Sequence, residues 1–390
     1  MVDELSARVT RRAVLGTAGL AGAGAVAAAC GPSAAPAAPP AAAPAAPAPA
    51  AKAAWEKEWD DLVAAAKKEG KVAVITNTGV SYRKGLEAFQ AAFPGIEVEH
   101  QAFASASLIA PKVLQERKGN VYSVDVAQFA PALLIRLLRP EGVFDPVRPV
   151  IFRPDVLDDN AWYNGFERGF VDLDRKLAFA HEHQVNRAFS VNGDLVKDGE
   201  IKSVKDLLDP KWKGKIFMAD VRAGDGYLPL TGIKEALGEG ALKQIIVDQE
   251  AVFSRERRQI IEAVVRGRYP IGMALFDAIL PEFQEQGLGK NVKPLVLPEA
   301  DYIPAEGVLL FNKAPHPNAA KLFINWFLTK EGQTAVNTGL KRNSRRKDVP
   351  IQDPATAPGT QKYLESSREE NYPKIDAVRA IIEKLAGVVN

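Results

Sequence analysis

The segment Asp220-Val221-Arg222-Ala223-Gly224-Asp225-Gly226-Tyr227 gathers in one short span the residue types that an anion site needs. Arg222 carries a planar guanidinium that can hold a carboxylate or phosphonate through two parallel hydrogen bonds. Gly224 and Gly226 let backbone approach a ligand closely. The segment follows an apolar run, Lys215-Ile216-Phe217-Met218-Ala219, and precedes a helical stretch. A helix starting there turns unpaired N–H groups and the positive end of its dipole toward one point. Arg222, Gly224, Asp225, Gly226 and Tyr227 are therefore candidate ligand residues. The competing reading is that Arg222 pairs with Asp220 or Asp225 and only shapes the loop.

Further candidates follow from the same rule, that binding groups sit after strands and at helix starts. Thr76, Asn77 and Thr78 follow the first apolar run, Ser105 and Ser107 precede a helix, and Gln128 closes a third strand. All are neutral hydrogen-bonding groups, and each singly is also a common cap or turn residue. Asp277 ends a later strand, and Asp301 and Tyr302 stand before another. These two aspartates suit an ammonium or a metal. The anion features act at one point, however, and charge-assisted bonds are about twice as strong as neutral ones. A small organic anion or zwitterion carrying a carboxylate or phosphonate is the expected ligand.

Other chemistries find little support. Lys plus Arg number 50 and Asp plus Glu 48, a balance that argues against a nucleic-acid binder. The run Lys211-Trp212-Lys213-Gly214-Lys215 reads as a solvated turn over a packed Trp212. A single cysteine excludes an internal disulfide and a Cys-based zinc or iron–sulfur site. His181-Glu182-His183 has metal-ligand types, but three successive side chains alternate in direction and rarely converge. A surface turn is expected there, with no metal and no cofactor. No Gly-x-Ser-x-Gly elbow, Walker loop or His-Glu-x-x-His occurs, and Asp172-x-Asp174 is a weak carboxylate pair.

The elements that would position these residues alternate strand and helix. Trp55, Trp59, Leu62, Val63 and Ala66 recur at helical spacing before Gly70. A strand at 71–76, a helix at 81–93, a strand at 96–101, a helix at 108–118, a strand at 124–129 and a helix at 132–138 follow. A second set comprises strands at 188–191, 215–219, 269–275 and 308–311, with helices at 204–208, 260–266, 279–286 and 318–328 between or after them. This rhythm predicts an α/β protein with mostly parallel sheets and ligand loops at strand C-termini. At 390 residues, two to three domains are expected.

The first thirty residues read as an export signal. An uncharged Ala/Gly-rich stretch, Ala13 to Ala29, follows Arg11-Arg12, and Thr10-Arg11-Arg12-Ala13-Val14-Leu15 resembles a twin-arginine signal. The general export route stays open. Ala27-Ala28-Ala29-Cys30-Gly31 resembles a bacterial lipobox, with Ala27 where Leu is usual, so lipidation of Cys30 and anchorage to the outer face of the cell membrane are expected. The alternative is a plain signal peptide cut after Ala-x-Ala. From Gly31 to Ala54, 7 of 24 residues are Pro and 14 are Ala, too few apolar side chains to form a core. At about 3.1 Å per residue such a tether reaches roughly 70 Å.

Several stretches together resemble bacterial extracellular solute-binding proteins of ABC importers, the subgroup with ferric-ion-binding proteins and carriers of thiamine, polyamines and phosphonates. They are Leu207-Leu208-Asp209-Pro210-Lys211-Trp212-Lys213-Gly214-Lys215-Ile216, Ala314-Pro315-His316-Pro317-Asn318-Ala319-Ala320-Lys321-Leu322-Phe323, Asn325-Trp326-Phe327-Leu328 with Glu331-Gly332-Gln333, and the opening 65–72. The resemblance implies a type II periplasmic-binding-protein fold: two α/β lobes joined by crossing strands near 188–192 and 302–305, closing on a ligand. It implies a first lobe of 55–188 plus 303–345 and a second of 189–302 plus 346–390, after a signal (1–29) and tether (30–54). Its partners would be a small-molecule solute and membrane permease subunits, with the protein itself a monomer. Ferric-binding relatives usually present two adjacent tyrosines, since hard Fe(III) favours phenolate oxygen. Here the matching stretch reads Phe276-Asp277-Ala278-Ile279, and none of the eight tyrosines adjoins another. An atypical ferric site is the first alternative to the organic anion. A periplasmic enzyme using an unrecognised Asp/Glu pair is the second. A thiaminase-like activity would need a nucleophilic cysteine, and Cys30 lies in the export signal.

Overall fold

The computed structural model describes residues 53–276 and 279–389. The expected signal, Cys30, the tether as far as residue 52, and Asp277 lie outside these. Thirteen strands are described: β1 Lys71–Asn77, β2 Glu97–Phe103, β3 Val126–Phe129, β4 Phe144–Asp145, β5 Ala178–Ala180, β6 Phe189–Asn192, β7 Ile216–Ala219, β8 Val252–Ser254, β9 Ile271–Met273, β10 Val292–Pro294, β11 Tyr302–Ile303, β12 Gly307–Phe311 and β13 Leu364–Glu365.

They form two principal sheets. The first has the order β2, β1, β3, β12, β4, with β5 also on β12. The second runs β10, β6, β9, β7, β8, and a small third ribbon joins β11 to β13. The sheets are mixed rather than mostly parallel. In the first, β1 pairs in parallel with β2 and β3, whereas β12 is antiparallel to β3, β4 and β5. In the second, β7 is parallel to β8 and β9, but β6 is antiparallel to β9 and β10. The antiparallel members are strands entered just after the chain changes sheet. It leaves the first sheet after β5, enters the second at β6, and returns after β10 to β12. The segments 181–188 and 295–306 make these passages. Thus 189–192 is a strand of the second sheet.

Period-two alternation explains why strands such as β1 read as continuous apolar runs: both faces are covered. On the first sheet Val72, Val74, Val126, Val308 and Leu310 face one core, with Phe89, Phe323, Trp326 and Phe327 from the helices Val80–Ala92 and Pro317–Phe327. The intervening Ile75, Ala127, Leu309 and Phe311 face another, with Ile109, Val113 and Leu134. The second sheet divides likewise, Phe189, Val191, Ile216, Met218, Ile271 and Met273 on one side and Phe217 and Ala219 on the other. The C-terminal helix Tyr372–Val389 adds Val378 and Ile382 to the larger of these cores. It also reaches the first half of the chain, where Arg136 lies over Tyr372 and pairs with Asp376 at 3.0 Å.

One segment departs from its reading at a consequential place. Residues 224–227, expected to be a glycine loop, are the first turn of the helix Gly224–Leu237. Gly226 is required there, because a Cβ would stand 2.3 Å from the carbonyl oxygen of Asp220. The helix start is thereby pressed onto the end of β7.

Candidate functional site

Two adjacent parallel strands create a surface cavity on the second sheet. In the β7–β8 pair Ala219 lies opposite Ser254, so both strands end side by side. The Asp220 N–H donates to the Ser254 carbonyl at 2.9 Å and carries the pairing one step beyond. After β7 the chain turns at 220–223, with the Ala223 N–H on the Asp220 carbonyl at 2.8 Å, and enters the helix Gly224–Leu237. After β8 it enters the helix Arg257–Val265. Neither helix has a side-chain cap on its N-terminus. First-turn N–H groups and two positive dipole ends therefore border the same space, as the crevice rule for open α/β sheets anticipates.

That space is a cavity of about 370 Å³ lined by Ala219, Asp220, Arg222, Ala223, Asp225, Ser254, Arg255 and Arg257. Arg222 and Asp225 were candidates by sequence; Arg255 and Arg257 were not. The charged groups are organised by two aspartates. Asp220 accepts from Nε and Nη2 of Arg222, both at 2.8 Å, and from Nε of Arg255 at 2.9 Å. Asp225 accepts from Nε and Nη2 of Arg257 at 3.0 and 2.9 Å. Hydrogen bonds from Arg222 hold the Asp220 carboxyl well below the usual carboxylate range, and Arg222 is raised in return. Arg222 does make the ion pair that the competing reading foresaw. Yet each guanidinium has five N–H donors, and these bonds engage at most two of them. Three cations against two carboxylates leave the cavity one net positive charge.

The remaining candidates fall elsewhere. Gly224 and Gly226 lie in the first helical turn beside the cavity, while Tyr227 packs under Arg379, whose guanidinium is 5.3 Å from its ring. Thr76 and Gln128 are buried opposite each other on β1 and β3. The Thr76 hydroxyl meets the His100 ring at 2.7 Å, and Gln128 Nε2 has no hydrogen-bond partner among the described residues. Thr78 and Ser107 are exposed, and Ser105 is half-buried at the start of the helix Ala106–Lys118. Tyr302 is buried, with its backbone bridged to Asn186. Asp301 is fully buried and accepts from Arg187 at 2.8 Å and from the Ala188 and Leu297 N–H groups at 3.0 Å. It ties the two passages between sheets together and is not placed to receive a ligand ammonium.

The reading of 181–183 as a surface turn is corrected. His181 is 0% exposed and Glu182 2%, because this stretch continues from β5 along β12, where the His181 N–H donates to the Glu306 carbonyl at 3.1 Å. Alternation does not keep the side chains apart, because His181 and Glu182 both bring ligand atoms to within 4.8 Å of Glu306, while His183 stacks on Tyr163. Glu182 and Glu306 share Arg342, whose Nη1 is 3.1 Å from the first and 3.3 Å from the second. Glu306 also accepts from Asn77 Nδ2 at 2.7 Å and from the Tyr82 hydroxyl. Burial first, and Glu182 next, push the Glu306 carboxyl up to about 7, and burial lowers His181 to about 4. Asn77, a candidate by sequence, thus belongs to this buried cluster rather than to the arginine cavity.

A family model described as bacterial extracellular solute-binding protein matches residues 84–359. The structure resembles iron-bound HitA from Pseudomonas aeruginosa with a TM-score of 0.60 at 16% identity, over 81% of this chain and 99% of that one. Ferric iron-binding protein A from Mannheimia haemolytica in an open conformation gives 0.62 at 14% identity, over 81% and 98%. The spermidine/putrescine substrate-binding protein PotD from Streptococcus pneumoniae gives 0.57 at 15%, over 80% and 98%. At such identities the likeness shows the fold, the α/β periplasmic-binding-protein architecture expected above. A protein of Haemophilus influenzae without assigned function is 28% identical over 206 residues, 50% of this chain and 58% of that relative's length.

Proposed function

The chain belongs to the bacterial extracellular solute-binding protein family, and from that premise we propose that it is the lipid-anchored solute-binding component of an ABC importer. Its ligand is a small organic anion or zwitterion bearing a carboxylate or phosphonate. The observation that carries the ligand class is the cavity in which Arg222, Arg255 and Arg257 meet two uncapped helix N-termini. A polyamine of the kind named for PotD would bring cations to a site already positive. A ferric ion would find guanidinium groups there and no tyrosine among the lining residues. On this reading Thr78, Ser105 and Ser107, at the ends of first-sheet strands, close over the ligand from the opposite side. The protein binds its ligand without transforming it and hands it to membrane permease subunits.

The test begins with native mass spectrometry of gently purified protein, to identify a co-purified solute, followed by calorimetry with that solute and Arg222→Ala. Loss of one charge-assisted contact in a closed, water-excluding cleft should weaken binding at least about tenfold. Unchanged affinity would reduce Arg222 to a loop-shaping residue and remove the anion reading. Turnover of the solute would instead favour an enzyme. The anchor is checked separately: membrane-extracted protein should carry acyl mass on a peptide beginning at Cys30, and a free Cys30 thiol would overturn it.

A further inference from the structure

We propose that His181, Glu182 and Glu306 form a site for one divalent transition-metal ion, of the zinc, cobalt or manganese class, that staples the two passages of chain between the sheets. The inference starts from unmet hydrogen-bonding demand. His181 is fully buried, and neither ring nitrogen has a hydrogen-bond partner among the described residues; Glu306 Oε2 is buried and equally without one. A buried polar atom left unsatisfied costs about 1–3 kcal/mol, so three within one cluster call for a missing partner. One ligand atom from each of His181, Glu182 and Glu306 lies within 4.8 Å of the others.

The donor set is one imidazole nitrogen and two carboxylate oxygens, which suits borderline divalent ions better than soft cuprous or hard ferric ones. Ligands about 2.1 Å from a tetrahedral ion stand roughly 3.4 Å apart, so the three side chains must draw together by an ångström or so. Neighbouring groups position them. Phe327 meets the imidazole edge to face at 4.7 Å, and Asn77 and Tyr82 both bond Glu306 Oε1, leaving Oε2 for the metal. Arg342 pairs with both carboxylates and opposes their charge. With both carboxylates ionised, two of them against one guanidinium leave the pocket negative, and a buried negative charge is stabilised by a cation. His181 and Glu182 open the outgoing passage and Glu306 closes the returning one, so a shared ion would join them directly. This site is separate from the arginine cavity and does not depend on the ligand held there.

The experiment uses the full chain, stripped with chelator and titrated with zinc chloride in calorimetry and thermal unfolding. One equivalent should bind and raise the unfolding midpoint, since an ion bound only to the folded state stabilises it by mass action. His181→Gln should weaken binding by more than about 100-fold, the upper end of what loss of a mere supporting residue produces. His316→Gln, whose histidine pairs with Asp125 outside the cluster, should bind as wild type does. The absence of one-equivalent binding, or equal affinity in His181→Gln, overturns the proposal. Should His181→Gln fail to fold, pulsed EPR of wild type loaded with one equivalent of Cu(II) decides. Imidazole-nitrogen modulation that Glu306→Gln abolishes supports the site, and its absence from wild type overturns it.

Discussion

Asp220 has two roles that a single substitution separates. It is almost buried, aims Arg222 and Arg255 through charge-assisted bonds, and at the same time competes with any ligand for them. Its folded carboxyl titrates below the ordinary value of 3.8. The stabilisation it provides is therefore complete above that pH and is lost as the pH falls through the folded value. Asp220→Asn should flatten the acid limb of stability below about pH 4, measured by urea unfolding at a series of pH values, and leave the neutral region less changed. It also raises the cavity's charge by one, so an anionic solute should bind more tightly, most visibly at low salt. Weaker binding would mean that aiming the guanidiniums matters more than the competition. Arg222 was legible because strand, glycines and basic residue are contiguous in sequence. Arg255 and Arg257 were not, since Arg255-Glu256-Arg257-Arg258 resembles any solvated charge run until β8 is known to lie beside β7.

At the scale of elements, the arginine cavity depends on how closely the helix Gly224–Leu237 approaches the end of β7. A methyl group at residue 226 would meet the Asp220 carbonyl at 2.3 Å and the Val221 Cα at 2.7 Å, both backbone atoms that cannot swing away. Gly226→Ala should cost about 1–3 kcal/mol of stability through overpacking, read as a lower urea midpoint, and should loosen anion binding by moving the helix start. Wild-type stability and affinity in this variant would show that the helix can withdraw without consequence. The strands and helices were broadly visible in the sequence because local periodicity encodes them, as in 71–77 and 317–327. Sheet order was not, because pairing joins distant residues. His181 and Glu306 meet only because 181 continues the β5–β12 pairing, and no local pattern in His181-Glu182-His183 distinguishes that burial from a polar turn. The antiparallel β6 and β12 were likewise hidden, since a strand's direction is set by the route of the chain before it.

For the whole molecule, the question is whether the two sheets move relative to each other when solute binds. Between the principal sheets the chain passes through 181–188 and 295–306, and it crosses once more after β12 to the helix Tyr372–Val389, whose Val378 and Ile382 pack on the second sheet; Asp301 with Arg187 clamps the first two passages into one buried strut. The helix Tyr372–Val389 adds a peripheral link through Arg136 and Asp376, which are partly exposed. A surface ion pair of that kind contributes at most about 1 kcal/mol, too little to prevent movement, whereas the buried strut is rigid enough to serve as an axis. The cavity on the second sheet is open to solvent, with Arg222 and Arg255 exposed and Arg257 half-buried, as suits a site completed from the opposite side. Closure about the strut by a hinge motion is therefore expected on saturation with the co-purified solute. Small-angle scattering should record a smaller radius of gyration with solute than without it. Arg136→Ala should close at least as readily as wild type, since it loses one peripheral link among several, with Arg139–Glu369 and Arg168–Glu365 retained. A radius that does not change at saturation would leave capture to the arginine cavity alone, with no part for Thr78, Ser105 or Ser107.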